Sequence, residues 1–396
     1  MGSALIKIFI YCIVVCVLVG CMGAFFNMGL KWAQLIFDRY PVLIALLPLA
    51  GVVTVWAYQR ADKTTRMGTF QLVENYVDGK NTTTSQMPIY IVFFTWVTHL
   101  FGGSAGREGT ALQMGGGLSA WIQRHHFFKE IPIRWAILLG LAGGFSAVFG
   151  TPCAALIFAI ELVSFRFVKM YWMIGLLGVA VGADLVAQFV GPPHTYYQPE
   201  ILEEVGSWDG LVAASIFGFF LGGAAFLFLI LMDWLQHLKV ALGINSYVWV
   251  ILFSSLVACI IWWSDGWQYA GLGVGQIERI MTSEATWYDA VMKFFLTLGT
   301  LGAGLKGGEV TPLFFIGSHF GNWLSSYLPA SLGLCTAVGF VAMYAGASKA
   351  PIACAVMGME VFGWQYGIYF LIACLVASAV SGRKGLYDLE RDPSLK

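Results

Sequence analysis

Charged residues are scarce in this chain, and neither sign of charge is in excess. Of its 396 residues, 11% are Asp, Glu, Lys or Arg, and 22 basic residues balance 22 acidic ones. Soluble domains carry roughly 25% charged residues, which keep their surfaces in water. A nucleic-acid-binding protein needs a basic face. The composition therefore argues against a soluble protein and against a nucleic-acid partner.

Patterns that indicate disulfides or metal sites are also missing. The eight cysteines lie in apolar runs without a C-x-x-C pair, and the sequence contains no His–Cys cluster and no H-E-x-x-H motif. We therefore predict no disulfide framework, no metal and no cofactor. The first apolar run is too long for the core of a signal peptide, so we predict that it is retained as a helix.

Apolar and small residues make up most of the chain. Apolar residues account for 58%, and there are 47 Gly and 15 Trp. A membrane-spanning helix needs about 20 apolar residues. Uncharged stretches of suitable length occur at residues 8–30, 41–59, 81–106, 135–160, 211–232, 240–264, 310–348 and 361–382. The sequence predicts an all-α polytopic membrane protein with no soluble regulatory domain.

The two halves of the chain resemble each other. A shift of 201 residues places Gly106 on Gly307 and Glu108 on Glu309, and a shift of 199 places Glu161 on Glu360. Gly pairs and prolines interrupt many of the apolar stretches. Two repeats with broken helices are typical of secondary transporters, in which the substrate site lies between the repeats near the middle of the membrane. We expect repeats at residues 1–200 and 201–396, with tilted and broken helices.

Charges inside the apolar stretches divide into two kinds. Arg107 and Glu108 lie between long uncharged runs, where an ionisable group indicates function unless it is paired. Adjacent residues on a helix do not face each other, so a pair between these two is not expected. Glu161 and Glu360 occupy matching places in the repeat, and we expect them to brace helices. Glu309, beside a Gly pair, is expected in a loop near water.

Two small-residue turns, at residues 103–110 and 307–312, each lead into a helix. Helix N-termini present unpaired N–H groups and a partial positive charge of about half a unit. Two such ends aimed at one point would bind an anion without a full positive charge. A glutamate on one of them would occupy the site when ionised and leave it when protonated. Movement of the anion would then be coupled to movement of a proton.

These residues resemble the CLC family of chloride channels and chloride–proton exchangers. Residues 103–110 are similar to the family's GSxxGREGP stretch, with Thr110 in place of Pro, and residues 148–161 resemble its FNAPLAGILFxxE helix. Residues 308–312 resemble its G-x-F-x-P motif, with Val310 replacing Phe. Tyr387 resembles the tyrosine whose hydroxyl binds the anion. The resemblance implies a CLC-type inverted repeat that covers nearly the whole chain.

The sequence departs from the family pattern at three places, and two of these departures indicate one branch of the family. Met67 stands where the family has an anion-coordinating serine, Gly-Glu-Val-Thr-Pro ends at Pro312, and Leu162 replaces the inner glutamate of chloride–proton exchangers. The first two resemble bacterial fluoride–proton antiporters. That likeness implies a multi-pass homodimer in the bacterial inner membrane that exports fluoride as protons enter. The implied coupling residue is Glu108, and the implied anion-binding residues are Met67, Gly106, Arg107, Gly109, Val310, Thr311 and Tyr387.

Two other functions are consistent with parts of the sequence. A chloride channel or chloride–proton exchanger shares the same motifs, although Leu162 argues against the exchanger and Met67 against strong chloride selectivity. An intramembrane serine protease would use the G-x-S-x-G pattern at Ser104 together with His319. That pattern is weak in a Gly-rich chain and leaves both the repeat and Glu108 unexplained. We therefore predict a transporter and not an enzyme.

Overall fold

The first half of the chain is helical. A computed structural model describes residues 2–163, 168–195, 197, 199, 206–328 and 330–389, so the predicted boundary at 200–201 lies outside the described residues. The helices of the first half are α1 (Gly2–Arg39), α2 (Leu47–Arg60), α3 (Lys63–Met67), α4 (Thr69–Asp78), α5 (Gln86–Leu100), α6 (Glu108–Gln123), α7 (Ile133–Phe149), α8 (Pro152–Leu162) and α9 (Trp172–Val190).

The second half repeats this arrangement of long and short helices. Its helices are α10 (Trp208–Ala241), α11 (Ser246–Trp263), α12 (Val274–Ile280), α13 (Trp287–Gly302), α14 (Val310–Ser325), α15 (Leu332–Ser348), α16 (Pro351–Phe362), α17 (Gly367–Val380) and α18 (Leu386–Leu389). Short 3₁₀ turns lie at Pro41–Leu46, His126–Phe128, Trp267–Tyr269 and Trp364–Tyr366.

Five helical segments of the described chain are long and apolar enough to cross a bilayer. They are Leu5–Arg39, Pro41–Arg60, Trp172–Val190, Trp208–Ala241 and Ser246–Trp263. Other apolar helices have only 10–17 residues. A helix that ends within a membrane exposes backbone groups that only other protein groups or a water-filled cavity can satisfy. The prediction of broken helices is thus confirmed.

The structure corrects several predicted spans. Stretch 135–160 forms two helices, because the chain turns at Gly150 (φ 75°) between α7 and α8. Stretch 240–264 begins too early, because α10 continues to Ala241 and α11 starts at Ser246. Helix α9 was not predicted, because Asp184 interrupts its uncharged run. The Asp184 carboxylate lies 2.8 Å from Nε2 of His194, which offsets the cost of burying it.

Glu161 and Glu360 join the two halves, as their symmetry predicted. Glu161 accepts hydrogen bonds from the N–H groups of Ile352 (3.3 Å) and Ala353 (2.8 Å) at the start of α16. Glu360 accepts hydrogen bonds from Cys153 (2.9 Å) and Ala154 (2.8 Å) at the start of α8. Each carboxylate therefore satisfies the free N–H groups and partial positive charge of the opposite half's helix.

Close packing around glycine positions the short helices α6 and α14. A Cβ atom on Gly115 of α6 would lie 2.2 Å from the carbonyl oxygen of Gly140 on α7. A Cβ atom on Gly317 of α14 would lie 2.1 Å from the carbonyl oxygen of Gly339 on α15. Only glycine permits these approaches. The starts of α6 and α14 are thus fixed inside the protein.

Candidate anion and proton site

The N-termini of α6 and α14 meet through a two-residue bridge. Gly106 N–H donates to the Gly308 carbonyl oxygen (2.5 Å), and Gly308 N–H donates to the Gly106 carbonyl oxygen (2.7 Å). The predicted convergence of the two helix starts is therefore present. Because the Gly106 N–H is engaged in this bridge, it does not donate to an anion in this conformation, although Gly106 was among the predicted anion-binding residues.

The Glu108 side chain occupies the start of the opposite helix. The residue is fully buried, and its Oε2 accepts hydrogen bonds from the Thr311 N–H (2.9 Å) and the Arg107 N–H (3.0 Å). Its Oε1 accepts a hydrogen bond from the Thr311 hydroxyl. The carboxylate thus faces protein and not lipid. It fills the place that the N-terminus of α14 offers to an anion.

Arg107 is closer to Glu108 than the sequence predicted. Its Nε lies 3.7 Å from the Glu108 Oε1. The expectation that adjacent residues do not pair is wrong here, because Arg107 precedes α6 with φ −123° and is not part of the helix. Its Nη1 also donates to Asn27 (3.4 Å), and the guanidinium lies 5.5 Å from the centre of the Phe149 ring. The arginine therefore adds positive charge on one side of the carboxylate.

Met67 lines a water-accessible cavity. This cavity has a volume of about 450 Å³. Its lining includes Arg66, Met67, Gln113, Lys306 and Glu309, together with Leu386, the residue before Tyr387. We call this cavity the Met67 vestibule. Its lining carries three basic side chains (Arg66, Lys239 and Lys306) against two acidic ones (Asp233 and Glu309), and this excess of positive charge suits the approach of a small anion.

Val310 and Gly109 lie at the helix starts, as predicted. Val310 is the first residue of α14 and is fully buried, so its backbone and not its side chain is available to the site. A Cβ atom on Gly109 would lie 3.2 Å from Oε2 of Glu309. Glu309 therefore approaches the start of α6, while Glu108 occupies the start of α14. Glu309 was expected only in a loop near water. The match between Glu108 and Glu309 in the repeat was the signal that could have identified their reciprocal placement at the two helix starts.

Tyr387 is held by aromatic side chains. Its hydroxyl lies 3.3 Å from that of Tyr344, and its ring packs edge-on against Phe158, with 5.9 Å between ring centres. Tyr387 is buried. Tyr344 was not predicted, because it lies in a long uncharged stretch where an aromatic residue gives no signal of function.

A buried lysine reinforces the loop that leads into α6. Nζ of Lys293 donates to the carbonyl oxygens of Tyr269 (2.9 Å) and Gly271 (2.7 Å). The Gly271 N–H in turn donates to the Gly103 carbonyl oxygen (3.2 Å). Sequence reasoning missed Lys293, although it is a charge within an apolar helix and such charges are costly without partners.

Ser104 and His319, the residues of the protease alternative, each contact other side chains or backbone groups. The Ser104 hydroxyl lies 3.1 Å from the Thr297 hydroxyl. Nδ1 of His319 lies 2.8 Å from the Phe315 carbonyl oxygen, and its ring stacks on Phe315. Among the described residues, Ser104 and His319 form no hydrogen bond with each other. A serine nucleophile needs its base within hydrogen-bond reach, so this geometry gives the protease no support.

Comparison with known proteins identifies relatives over most of the chain. Residues 50–382 match the family described as "Voltage gated chloride channel". The chain is 33% identical over 383 residues to the "Chloride/fluoride channel protein" of Pseudomonas syringae pv. tomato, which covers 95% of this chain and 84% of that protein. It is 28% identical over 306 residues to the "H(+)/Cl(-) exchange transporter ClcA" of Vibrio campbellii, which covers 70% of this chain and 64% of that relative.

Two solved structures share its architecture. The crystal structure of a CLC-type fluoride/proton antiporter superimposes with a TM-score of 0.92 at 26% identity and covers 98% of each chain. A slow cyanobacterial Cl⁻/H⁺ antiporter superimposes with a TM-score of 0.81 at 20% identity, again over 98% of each chain, which shows the fold alone. This chain therefore belongs to the CLC family, a family of membrane-embedded anion channels and anion–proton antiporters.

Proposed function

We propose that this protein is a fluoride–proton antiporter that exports fluoride from the cytoplasm in exchange for protons. The observation that carries the proposal is the position of Glu108. Its carboxylate accepts hydrogen bonds from the N–H and hydroxyl of Thr311, which are the donors that a small anion would use. A carboxylate and an anion cannot share one set of donors, so each must leave for the other to bind.

Protonation of Glu108 supplies the coupling. A neutral carboxylic acid loses most of its attraction to the helix N-terminus and to Arg107, so it swings away and releases the site. An anion then binds the Thr311 N–H, with the N–H groups at Gly109 and Val310 nearby. When the acid gives up its proton on the opposite side, the carboxylate returns and displaces the anion. Protons therefore move one way as anions move the other way past this point.

The choice of fluoride is supported by two features. Met67 lines the vestibule at the position where the resemblance to the CLC family implies an anion-coordinating serine, and a thioether is a poor hydrogen-bond partner. In addition, the relative from Pseudomonas syringae is named for chloride and fluoride, and the structure with a TM-score of 0.92 is a fluoride/proton antiporter. Fluoride also requires coupled export, because neutral HF crosses membranes into a cell and dissociates there.

The cellular setting follows from the same reading. We place the protein in the bacterial inner membrane as a homodimer with one pathway per subunit, built from repeats at 1–200 and 201–396. The Met67 vestibule, with Arg66, Lys239 and Lys306 in its lining, is assigned to the cytoplasmic side, where basic residues of membrane proteins concentrate. Tyr387 then contacts the anion from the cytoplasmic side.

The second candidate is a chloride channel or a chloride–proton exchanger. The relatives named as H(+)/Cl(-) exchange transporters favour it. Leu162 at the C-terminal end of α8 provides no carboxylate for an inner proton path, which counts against an exchanger of that type.

A flux assay in liposomes tests the proposal. The purified protein is reconstituted with fluoride or chloride inside, and anion efflux is recorded together with internal pH. We expect fluoride efflux to drive proton uptake, and Glu108→Gln to abolish that uptake. Glu284→Gln removes an exposed carboxylate and serves as the control, with coupling equal to that of the wild type. Proton uptake that persists undiminished in Glu108→Gln would refute the role of Glu108, and chloride efflux faster than fluoride efflux would favour the second candidate.

A further inference from the structure

We propose that Tyr344 is a positioning residue that sets the strength with which Tyr387 binds the transported anion. The inference rests on the proposed role of Tyr387 as an anion ligand. Tyr344 lies on α15 and is fully buried, and its hydroxyl is 3.3 Å from the Tyr387 hydroxyl. Among the described residues, the Tyr344 hydroxyl forms its hydrogen bond with Tyr387.

The ring of Tyr344 is fixed by packing on two sides. It stacks on Phe158 of α8, with ring centres 5.8 Å apart, and meets Phe314 of α14 edge-on at 5.5 Å. Phe314 lies one turn beyond Thr311, whose N–H and hydroxyl hold Glu108. The Tyr344 hydroxyl therefore sits at a fixed point between the helix that offers the anion site and the tyrosine that closes it.

The Tyr344 and Tyr387 hydroxyls each carry one proton, and a bound anion determines which hydroxyl donates the hydrogen bond between them. A phenolic hydroxyl donates one hydrogen bond. If Tyr387 donates to Tyr344, it has no proton left for the anion. When Tyr387 donates to an anion, Tyr344 must instead donate to the Tyr387 oxygen, because a buried hydroxyl without a partner is costly. Tyr344 is therefore the donor of the pair whenever Tyr387 donates to an anion.

The donated hydrogen bond makes Tyr387 a better ligand. A hydroxyl that accepts a hydrogen bond donates its own proton more strongly, by about 10–30% per bond. The 3.3 Å separation is longer than the 2.7–2.8 Å usual for two hydroxyls, so the contact has room to shorten when an anion polarises Tyr387. The gain is largest for a small anion with concentrated charge. Tyr344 thus acts on the anion through Tyr387 and not by contact.

Four variants test this inference. Tyr344→Phe removes the hydroxyl and keeps the ring between its neighbours, and it is compared with Tyr387→Phe and with the double variant. Tyr11→Phe is the matched control, because Tyr11 is equally buried and donates to the Ser119 carbonyl oxygen (2.7 Å) far from the site. Fluoride efflux from liposomes is measured against fluoride concentration, with protons counted by a pH probe.

We expect Tyr344→Phe to raise the KM for fluoride by up to about fivefold, which corresponds to a 10–30% weakening of the hydrogen bond from Tyr387 to a charged ligand. The maximal rate should change less than twofold, and the number of protons per fluoride should stay the same. The double variant should match Tyr387→Phe alone. A structural role would instead reduce the amount of folded protein and leave KM unchanged.

The outcomes separate this inference from the proposed function. A wild-type KM in Tyr344→Phe, or effects of the two variants that add in the double variant, would overturn the role of Tyr344. If the wild-type protein carries chloride and not fluoride, the proposed function fails. The same four variants are then compared in chloride efflux. A raised KM in Tyr344→Phe together with equality of Tyr387→Phe and the double variant still supports the inference, and a wild-type KM or additivity still overturns it.

Discussion

Gly308→Ala is the sharpest test of the meeting point of the two helices. The added Cβ atom would lie 2.7 Å from the backbone nitrogens of Glu108 and Gly109, where ordinary van der Waals contact is 3.4–4 Å. Both neighbours are backbone atoms of the opposite half, so no flexible side chain can move aside. The bridge between Gly106 and Gly308 must therefore open, and the start of α6 must move away from α14.

The size of the effect follows from that movement. Overpacking a tight site costs about 1–3 kcal/mol of stability. Misplacing groups that act on a substrate by about 1 Å can cost about 100-fold in rate. We therefore expect coupled fluoride efflux from liposomes to fall between about 10- and 100-fold, while the protein in detergent still unfolds as a monodisperse species at a modestly lower temperature.

A second glycine provides the control for this experiment. Gly223 lies in the interior of α10, and a Cβ atom there would meet nothing within 4 Å. Gly223→Ala should leave efflux unchanged and raise stability slightly, because alanine is the better helix former. Wild-type fluoride efflux and coupling in Gly308→Ala would show that the two helix starts need not be in contact, which would refute the geometry proposed for the site.

Three further predictions concern other parts of the molecule. Glu161→Gln and Glu360→Gln should each lower stability by about 0.5–2 kcal/mol with similar shifts in melting temperature, and a large inequality would contradict their equivalence. Met67→Ser should increase chloride efflux relative to fluoride efflux in the same liposomes, because it adds a hydroxyl donor to the vestibule; an unchanged ratio would remove Met67 from anion selection. Burial of Asp62 raises its pKa, but hydrogen bonds from Thr64, Thr84 and Thr65 outweigh burial and leave the pKa below its usual value. Its stabilising contribution is therefore present above the usual Asp pKa and is lost as pH falls below it, so wild type and Asp62→Asn should differ in melting temperature near neutral pH and converge in acid.

Local sequence was enough to predict the parts of the site that lie next to each other in the chain. The small-residue turns before Glu108 and Val310 predicted two helix starts, and the structure has α6 and α14 beginning at these residues. The matching positions of Glu161 and Glu360 predicted a shared bracing role, which their hydrogen bonds confirm. These predictions succeeded because helix starts depend on adjacent residues and internal repetition is visible in one sequence.

Predictions failed where one local feature, a single charge or a single helix rule, was used to predict the structure around it. One charge, Asp184, hid the helix Trp172–Val190, since its partner His194 could not be recognised in advance. The rule that adjacent helical residues do not face each other failed for Arg107, because that residue lies outside the helix. In both cases a contact or backbone angle that the sequence does not encode locally decided the outcome.

The amino-acid sequence by itself determined a helical membrane protein with two similar halves and a glutamate at a helix start. The tertiary structure alone decided which groups face that glutamate. Thr311 is 203 residues away from Glu108, and Tyr344 is 43 residues from Tyr387. No periodicity of helix or strand connects residues at such separations. Their proximity results from the packing of whole helices, through close approaches such as that of Gly317 to Gly339.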